Sequence, residues 1–276
     1  AHRRSVAAVR AGDVDVAAID CVTFALLRQA APSEVEDLRV IAASERAIAT
    51  QTAGLWGYQA KANSLMRILH HKQAYGQDPG HLPEEILELA RRILRFDPDN
   101  AMASYFVAVT QIIKFTFAME HGHSGAEFFD ESIRYYKRTL ELKPDYSRAY
   151  NDLGCAYGLR AQWLGLHGEP FAPHFADSLR YLRRAIAEDA EDVYPKYNLC
   201  DIGARYMRLQ LMVGRGDFAL LAEARELERW FARQNRRDYS LYSYIGQAMI
   251  PKIAHDVSQG QPLEADVAQA LGYVGQ

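Results

Sequence analysis

Residues 132–157 read SIRYYKRTLELKPDYSRAYNDLGCAY, and this stretch decides the fold. Ile133, Tyr136 and Leu140 recur at i, i+3 and i+7, the spacing of one helical face. Lys143-Pro144-Asp145 then stops the helix, because Pro144 has no amide proton and restricts the residue before it. Tyr150, Leu153 and Tyr157 build the apolar face of a second helix, and Gly154 leaves room on it for a close neighbour. A lone helical hairpin cannot bury both faces, so this unit needs copies beside it.

The copies are present. Leu87–Asp99 reads LELARRILRFDPD, and its Pro98-Asp99 lies 46 residues before Pro144-Asp145. Downstream, Ser178, Arg180, Tyr181 and Arg184 repeat Ser132, Arg134, Tyr135 and Arg138 at the same offset of 46. Tyr197-Asn198 repeats Tyr150-Asn151 with one residue inserted, which puts Cys200-Asp201 in place of Leu153-Gly154.

This unit resembles a tetratricopeptide repeat (TPR). Ser132, Tyr136, Thr139 and Pro144 match the end of one repeat, and Tyr150, Leu153-Gly154 and Tyr157 match the start of the next. The period exceeds the family's usual length of about 34. The extra residues are assigned to long loops at His121–Gly125 and Leu166–Pro170. Repeats of that kind are similar to the helical arrays that follow some bacterial signalling kinases, although the chain has no kinase motif. The resemblance implies a mainly α, TPR-like helical-hairpin solenoid whose first helices line a groove for a protein or peptide. Arg148, Asn151 and Asn198 lie off the apolar stripe and are the expected groove residues.

The flanks differ. Residues 1–45 alternate helix and strand patterns and read as a short α/β segment. His2-Arg3-Arg4-Ser5 followed by GDVDVAAID resembles part of the phosphate/phosphonate-binding component of ABC transporters. That resemblance implies an alternative function, oxyanion binding by His2, Arg4, Ser5 and Asp20, with the anion at a helix N-terminus. Residues 46–82 read as a helical connector with Trp56 as an anchor against the first repeat, 83–216 as about three repeats, and 217–276 as capping helices. Pro251 is expected to end a helix begun at Asp238, with a last short helix over Glu264–Leu271. Gly214–Asp217 reads as a simple turn.

Composition narrows the function. With 49% hydrophobic and 24% charged residues and a net charge of −3, the chain lacks the basic excess that nucleic acid demands. Residues 101–119 are apolar and near membrane-spanning length, but Lys114 sits in them and they lie between repeats, so a core helix is expected rather than a span. Cys21, Cys155 and Cys200 are too scattered for a metal site or a disulfide framework and read as buried thiols. The loop histidines, His121, His123, His167 and His174, have weak metal spacing, so no metal is assigned. No phosphate loop, dinucleotide fingerprint or nucleophile elbow occurs. The chain therefore reads as a non-enzyme without a cofactor, binding an unknown protein or peptide; self-association is a third reading. A first residue Ala1 suggests a processed product or excised fragment. The repeats favour the cytoplasm, or the periplasm if a signal peptide precedes Ala1.

Overall fold

The computed structural model describes residues 54–215, 217–234 and 239–261. The α/β reading of 1–45, with His2, Arg4, Ser5, Asp20 and Cys21, falls outside them, as does the helix expected over 264–271. Every regular element among the described residues is a helix. In chain order these are α1 (Gly54–Ala74), α2 (Leu82–Phe96), α3 (Ala101–Glu120), α4 (Ala126–Leu142), α5 (Ser147–Leu166), α6 (Ala172–Glu188), α7 (Tyr194–Met212), α8 (Ala219–Arg233) and α9 (Tyr239–Ser258). The chain forms two compact units, Ala1–Thr110 and Gln111–Gln276. In the first, α1 packs on α2 as a hairpin. In the second, α5 packs against α4, α6 and α7, and α7 also against α6, α8 and α9. Consecutive hairpins packed on nearest neighbours fit a TPR-like protein.

The odd-numbered helices end alike. Gly76, Gly122, Gly168, Gly214 and Gly260 all have positive φ, from 61° to 77°, and each follows the last by 46 residues. After each glycine the next amide bonds back five residues: Gln77 to Lys72, His123 to Ala118, Glu169 to Leu164, Arg215 to Gln210 and Gln261 to Asp256. This is the Schellman closure, which needs a left-handed residue and so favours glycine. The first three even-numbered helices are equally regular, whereas α8 ends at Gln234 with φ −80°. Asp97, Lys143 and Asp189 cap α2, α4 and α6 with φ near −140° (−136°, −139°, −141°) and amide bonds to Ile93, Thr139 and Ala185.

The register therefore runs without insertion from Gly76 to Gly260, beyond the three units that side-chain similarity reveals. Lys196, not Tyr197, stands where Tyr150 stands in the previous hairpin, and Leu199-Cys200 occupies the Leu-Gly position. The simple turn at Gly214 is the fourth copy of the repeat turn. The extra length of the period also lies elsewhere than expected. His121–Gly125 is a tight five-residue connection, while α3 and α5 have 20 residues each and α4 and α6 have 17.

The register places the core. Ala62, Ala108, Gly154 and Cys200 share one position on the odd helices and are buried. Ile86, Ser132, Ser178 and Ala224 share one on the even helices, all at most 2% exposed. Small residues there let helices approach closely. A Cβ on Gly154 would lie 2.7 Å from Leu182 Cγ, and one on Gly158 would lie 2.7 Å from Ile202 Cδ1. The Ser178 hydroxyl donates to the Gly154 carbonyl at 2.7 Å, tying α6 to α5.

Three expectations change. Trp56 is 77% exposed and anchors nothing; α1 turns Ala62, Met66 and Leu69 inward instead. The register explains this, since Trp56 shares its position with Arg148 and Tyr194, both exposed. Pro251 does not end its helix, because α9 continues to Ser258 with Pro251 buried inside it. Helix α3 is long and apolar enough to cross a membrane, but Tyr105–Val109 and Phe115 are buried in the protein, as in a core helix.

Candidate interaction face

One face of α5 and α7 is largely polar. On α5 it carries Arg148, Asp152, Cys155, Leu159 and Gln162, at i, i+4, i+7, i+11 and i+14, with Leu159 the apolar break in it. On α7 it carries Tyr194, Asn198, Asp201, Arg205 and Arg208, at i, i+4, i+7, i+11 and i+14. Such spacing makes a stripe on a helix. The two stripes meet because α5 and α7 pack directly, their apolar flanks taken up by α4, α6, α8 and α9.

Two of the three expected groove residues come together. Asn198 Nδ2 donates to Asn151 Oδ1 at 2.8 Å, and Asn151 Nδ2 donates to Asp152 Oδ1 at 3.0 Å. Asn151 is 8% exposed and Asn198 partly exposed, so the pair is a polar strut between helices with one open side. Arg148 is exposed at the start of α5, where its charge acts on Tyr146.

A second strut was not anticipated. Arg205 Nη1 donates to Gln162 Oε1 at 2.8 Å, and Arg205 Nη2 lies 2.8 Å from Asp201 Oδ2. Cys155 sits among these charges. Burial first, then Asp152 and Asp201, push its thiol far above the ordinary cysteine range, and Arg205 opposes them only in part. It is therefore a neutral thiol, not a nucleophile. Asp152, Cys155, Gln162, Asp201 and Arg205 were missed because their types carry no motif. The helical spacing of polar residues would have found them.

The histidines serve their own helices. His121 Nδ1 donates to the Phe117 carbonyl and His167 Nδ1 to the Trp163 carbonyl, both at 2.8 Å. Each ring lies on the same aromatic residue, with centroids 4.1 and 3.9 Å apart. Among the described residues no three His, Cys, Asp or Glu side chains converge as a metal would require. His174 packs against Phe129 and Tyr157, and burial and then Arg160 lower its pKa below the ordinary histidine value.

Helical hairpins, packed on their neighbours in the second unit and with a largely polar face on α5 and α7, fit a mainly α, TPR-like protein. No family model matches it, and no curated protein does. It is similar to a solved structure of a monomeric mutant of IFIT1 with Gppp-AAAA, at 16% identity over 92% of this chain and 52% of that one, with a TM-score of 0.45. A further variant of that mutant, with m7Gppp-AAAA, aligns at 16% identity over 91% of this chain and 52% of that one, with a TM-score of 0.43. The chain thus spans about half (52%) the length of those structures.

Proposed function

We propose that the chain is a protein-interaction scaffold that takes an extended peptide along the α5–α7 face. The observation behind this reading is the Asn151–Asn198 strut. It joins successive hairpins yet leaves amide hydrogen-bonding capacity toward the open side, which suits the alternating donors and acceptors of a peptide backbone. Around it Asp152, Asp201, Arg148 and Arg205 mix both signs. Paired charges of this kind select a partner by pattern more than by strength.

The capped oligonucleotides of the IFIT1 structures belong to that protein. A mixed-sign face on a chain of net charge −3 favours a peptide over a phosphate backbone, which needs a run of cations. No catalytic role is assigned.

The test is selection of peptides from a displayed random library on the full chain. Binding of an enriched peptide is then measured by titration to the wild type, to Asn198→Ala and to Arg205→Glu. Both substitutions are expected to weaken binding at least about tenfold, measured at a temperature where every form is fully folded because loss of either strut also lowers the melting temperature. Enriched peptides that bind all three forms equally would place the site elsewhere, and a library yielding no binder would sink the reading.

A further inference from the structure

Two large apolar side chains stand in water at one end of the α5–α7 face. Leu166 is the last residue of α5 and Met212 the last of α7, and they are 57% and 66% exposed. Single exposed apolar residues are ordinary on a protein surface. These two are not scattered. They are 46 residues apart and so share one position of the repeat. Each also lies 18 residues beyond the first residue of its stripe, Arg148 on α5 and Tyr194 on α7. That is about five full turns, so the pair continues the largely polar face at the same angle.

The other odd helices show that the fold itself does not ask for this pair. The same repeat position holds Ala74, Glu120 and Ser258 on α1, α3 and α9, and it is exposed on all five helices. A position open to water on every odd helix needs no large apolar side chain for packing. Leucine and methionine occupy it on the two helices that carry the face. Their ends also lie side by side. Helices α5 and α7 touch through Asn151 and Asn198, then through Gln162 and Arg205, and finally at Gly165, where a Cβ would lie 2.9 Å from Leu209 Cδ1.

Charge supplies the second half of the pattern. Arg208 is exposed on the same stripe, four residues before Met212 and therefore one turn away. Arg205 is paired with Asp201, whereas Arg208 has no ion-pair partner among the described residues. An uncompensated cation one turn from an apolar pair is complementary to a carboxylate beside an apolar side chain.

We propose that Leu166 and Met212 hold a large apolar side chain of the bound peptide, and that Arg208 selects an acidic residue near it. This rests on the peptide reading of the α5–α7 face and assigns the sequence which that face prefers. The spacing follows from the two backbones. A helix rises about 1.5 Å per residue, so Met212 lies about 6 Å beyond Arg208 and about 21 Å beyond Asn198. An extended peptide advances about 3.3 Å per residue. The acidic residue then falls about two positions from the apolar anchor, and the peptide backbone reaches the Asn151–Asn198 strut about six positions from it.

Peptides selected from a displayed random library on the full chain, then titrated, test this. The enriched sequences are expected to carry a large apolar residue with Asp or Glu about two positions away. Leu166→Gln and Met212→Gln, both at exposed positions, should each weaken such a peptide at least about fivefold while the melting curve shifts little. The same peptide with its anchor replaced by serine should bind the wild type weakly and be indifferent to Met212→Gln. Arg208→Glu should exchange the preference for an acidic residue for one for lysine. If Asn198→Ala weakens the enriched peptides and the two Gln variants do not, the anchor assignment fails and the peptide face stands. If none of the three weakens them, or the library yields no binder, both fail. Sedimentation over a concentration range completes the test: self-association of the chain that Met212→Gln abolishes would give the pair to a second copy and overturn the proposal.

Discussion

Three hairpins solve one packing problem with the same pair of positions but different residues. Arg92 lies 5.8 Å from the Tyr58 ring, Arg184 lies 5.7 Å from the Tyr150 ring, and Lys196 lies 4.1 Å from the Trp230 ring. In register Lys196 stands where Tyr58 and Tyr150 stand, and Trp230 where Arg92 and Arg184 stand. The cation and the ring have changed places. Lys196 is only 2% exposed, and its ammonium also donates to the carbonyls of Ala190 and Asp192 at 2.6 and 2.8 Å. That exchange hides the repeat from a reading by residue identity and invites the false match of Tyr197-Asn198 to Tyr150-Asn151. Thermal melts should show that Lys196→Tyr and Trp230→Arg each destabilise, and that the double exchange recovers part of the loss. A pair of this kind contributes about 0.5–2 kcal/mol. Double-exchange losses that simply add would show the two side chains act separately.

Cys200 also belongs at this scale. Its thiol is 2% exposed, and burial, followed by Glu223 and Asp201, pushes its pKa from 9.0 up to about 12. In the unfolded chain the thiol loses its proton near 9.0, whereas in the folded chain it keeps it to about 12. Between those values the folded state binds more protons, so stability falls as pH rises. Cys200→Ala should flatten the alkaline limb of a stability–pH profile; an unchanged slope would count against burial as the cause.

Among the elements, the odd-helix ends carry the sharpest expectation. A Cβ on Gly122, Gly168 or Gly214 would meet nothing within 4 Å, so substitution there tests backbone conformation alone. Gly168→Ala should cost about 1–2 kcal/mol for a left-handed L residue, and Gly168→Asn less, because asparagine tolerates that region. Gly154 is the contrasting case. Its φ is ordinary, but a Cβ would lie 2.7 Å from Leu182 Cγ and 3.1 Å from the Leu182 backbone nitrogen. Gly154→Val should therefore cost about 1–3 kcal/mol by overpacking, and denaturant titration of the two variants separates the mechanisms. If Leu182→Ala rescues Gly154→Val and leaves Gly168→Ala unrescued, the distinction holds.

At the scale of the molecule, the hairpins of the second unit are held by nearest-neighbour packing, and exposed ion pairs are expected to add little. The pair Arg183–Glu223 is bidentate at 2.9 and 2.7 Å and connects α6 to α8 across the hairpin boundary. Arg183 is exposed and Glu223 partly so, and Arg183→Ala should change stability by less than about 1 kcal/mol, measured by urea titration at low and high salt. A larger, salt-sensitive loss would assign the stack a substantial electrostatic component.

The helical hairpins and their spacing were legible because they depend on interactions a few residues apart. Apolar residues at i, i+3 and i+7 make a face, Pro144 and Pro98 stop a helix, and glycines at a fixed interval close the turns. The last of these was available in plain sequence as Gly76, Gly122, Gly168, Gly214 and Gly260, and it reads the register better than the more conspicuous tyrosines do. The side-chain environments were not legible in the same way. Whether Trp56 is buried depends on what stands opposite the first turn of α1. Pro251 stays inside α9 because Ile245 and Met249 are packed into the core, which offsets the missing backbone bond. Asn151 and Asn198 are 47 residues apart, and only the packing of α5 on α7 brings their amides to 2.8 Å. Local backbone preference decides where helices begin and end. Close packing between distant segments decides which faces meet, and that is where a partner would find its surface.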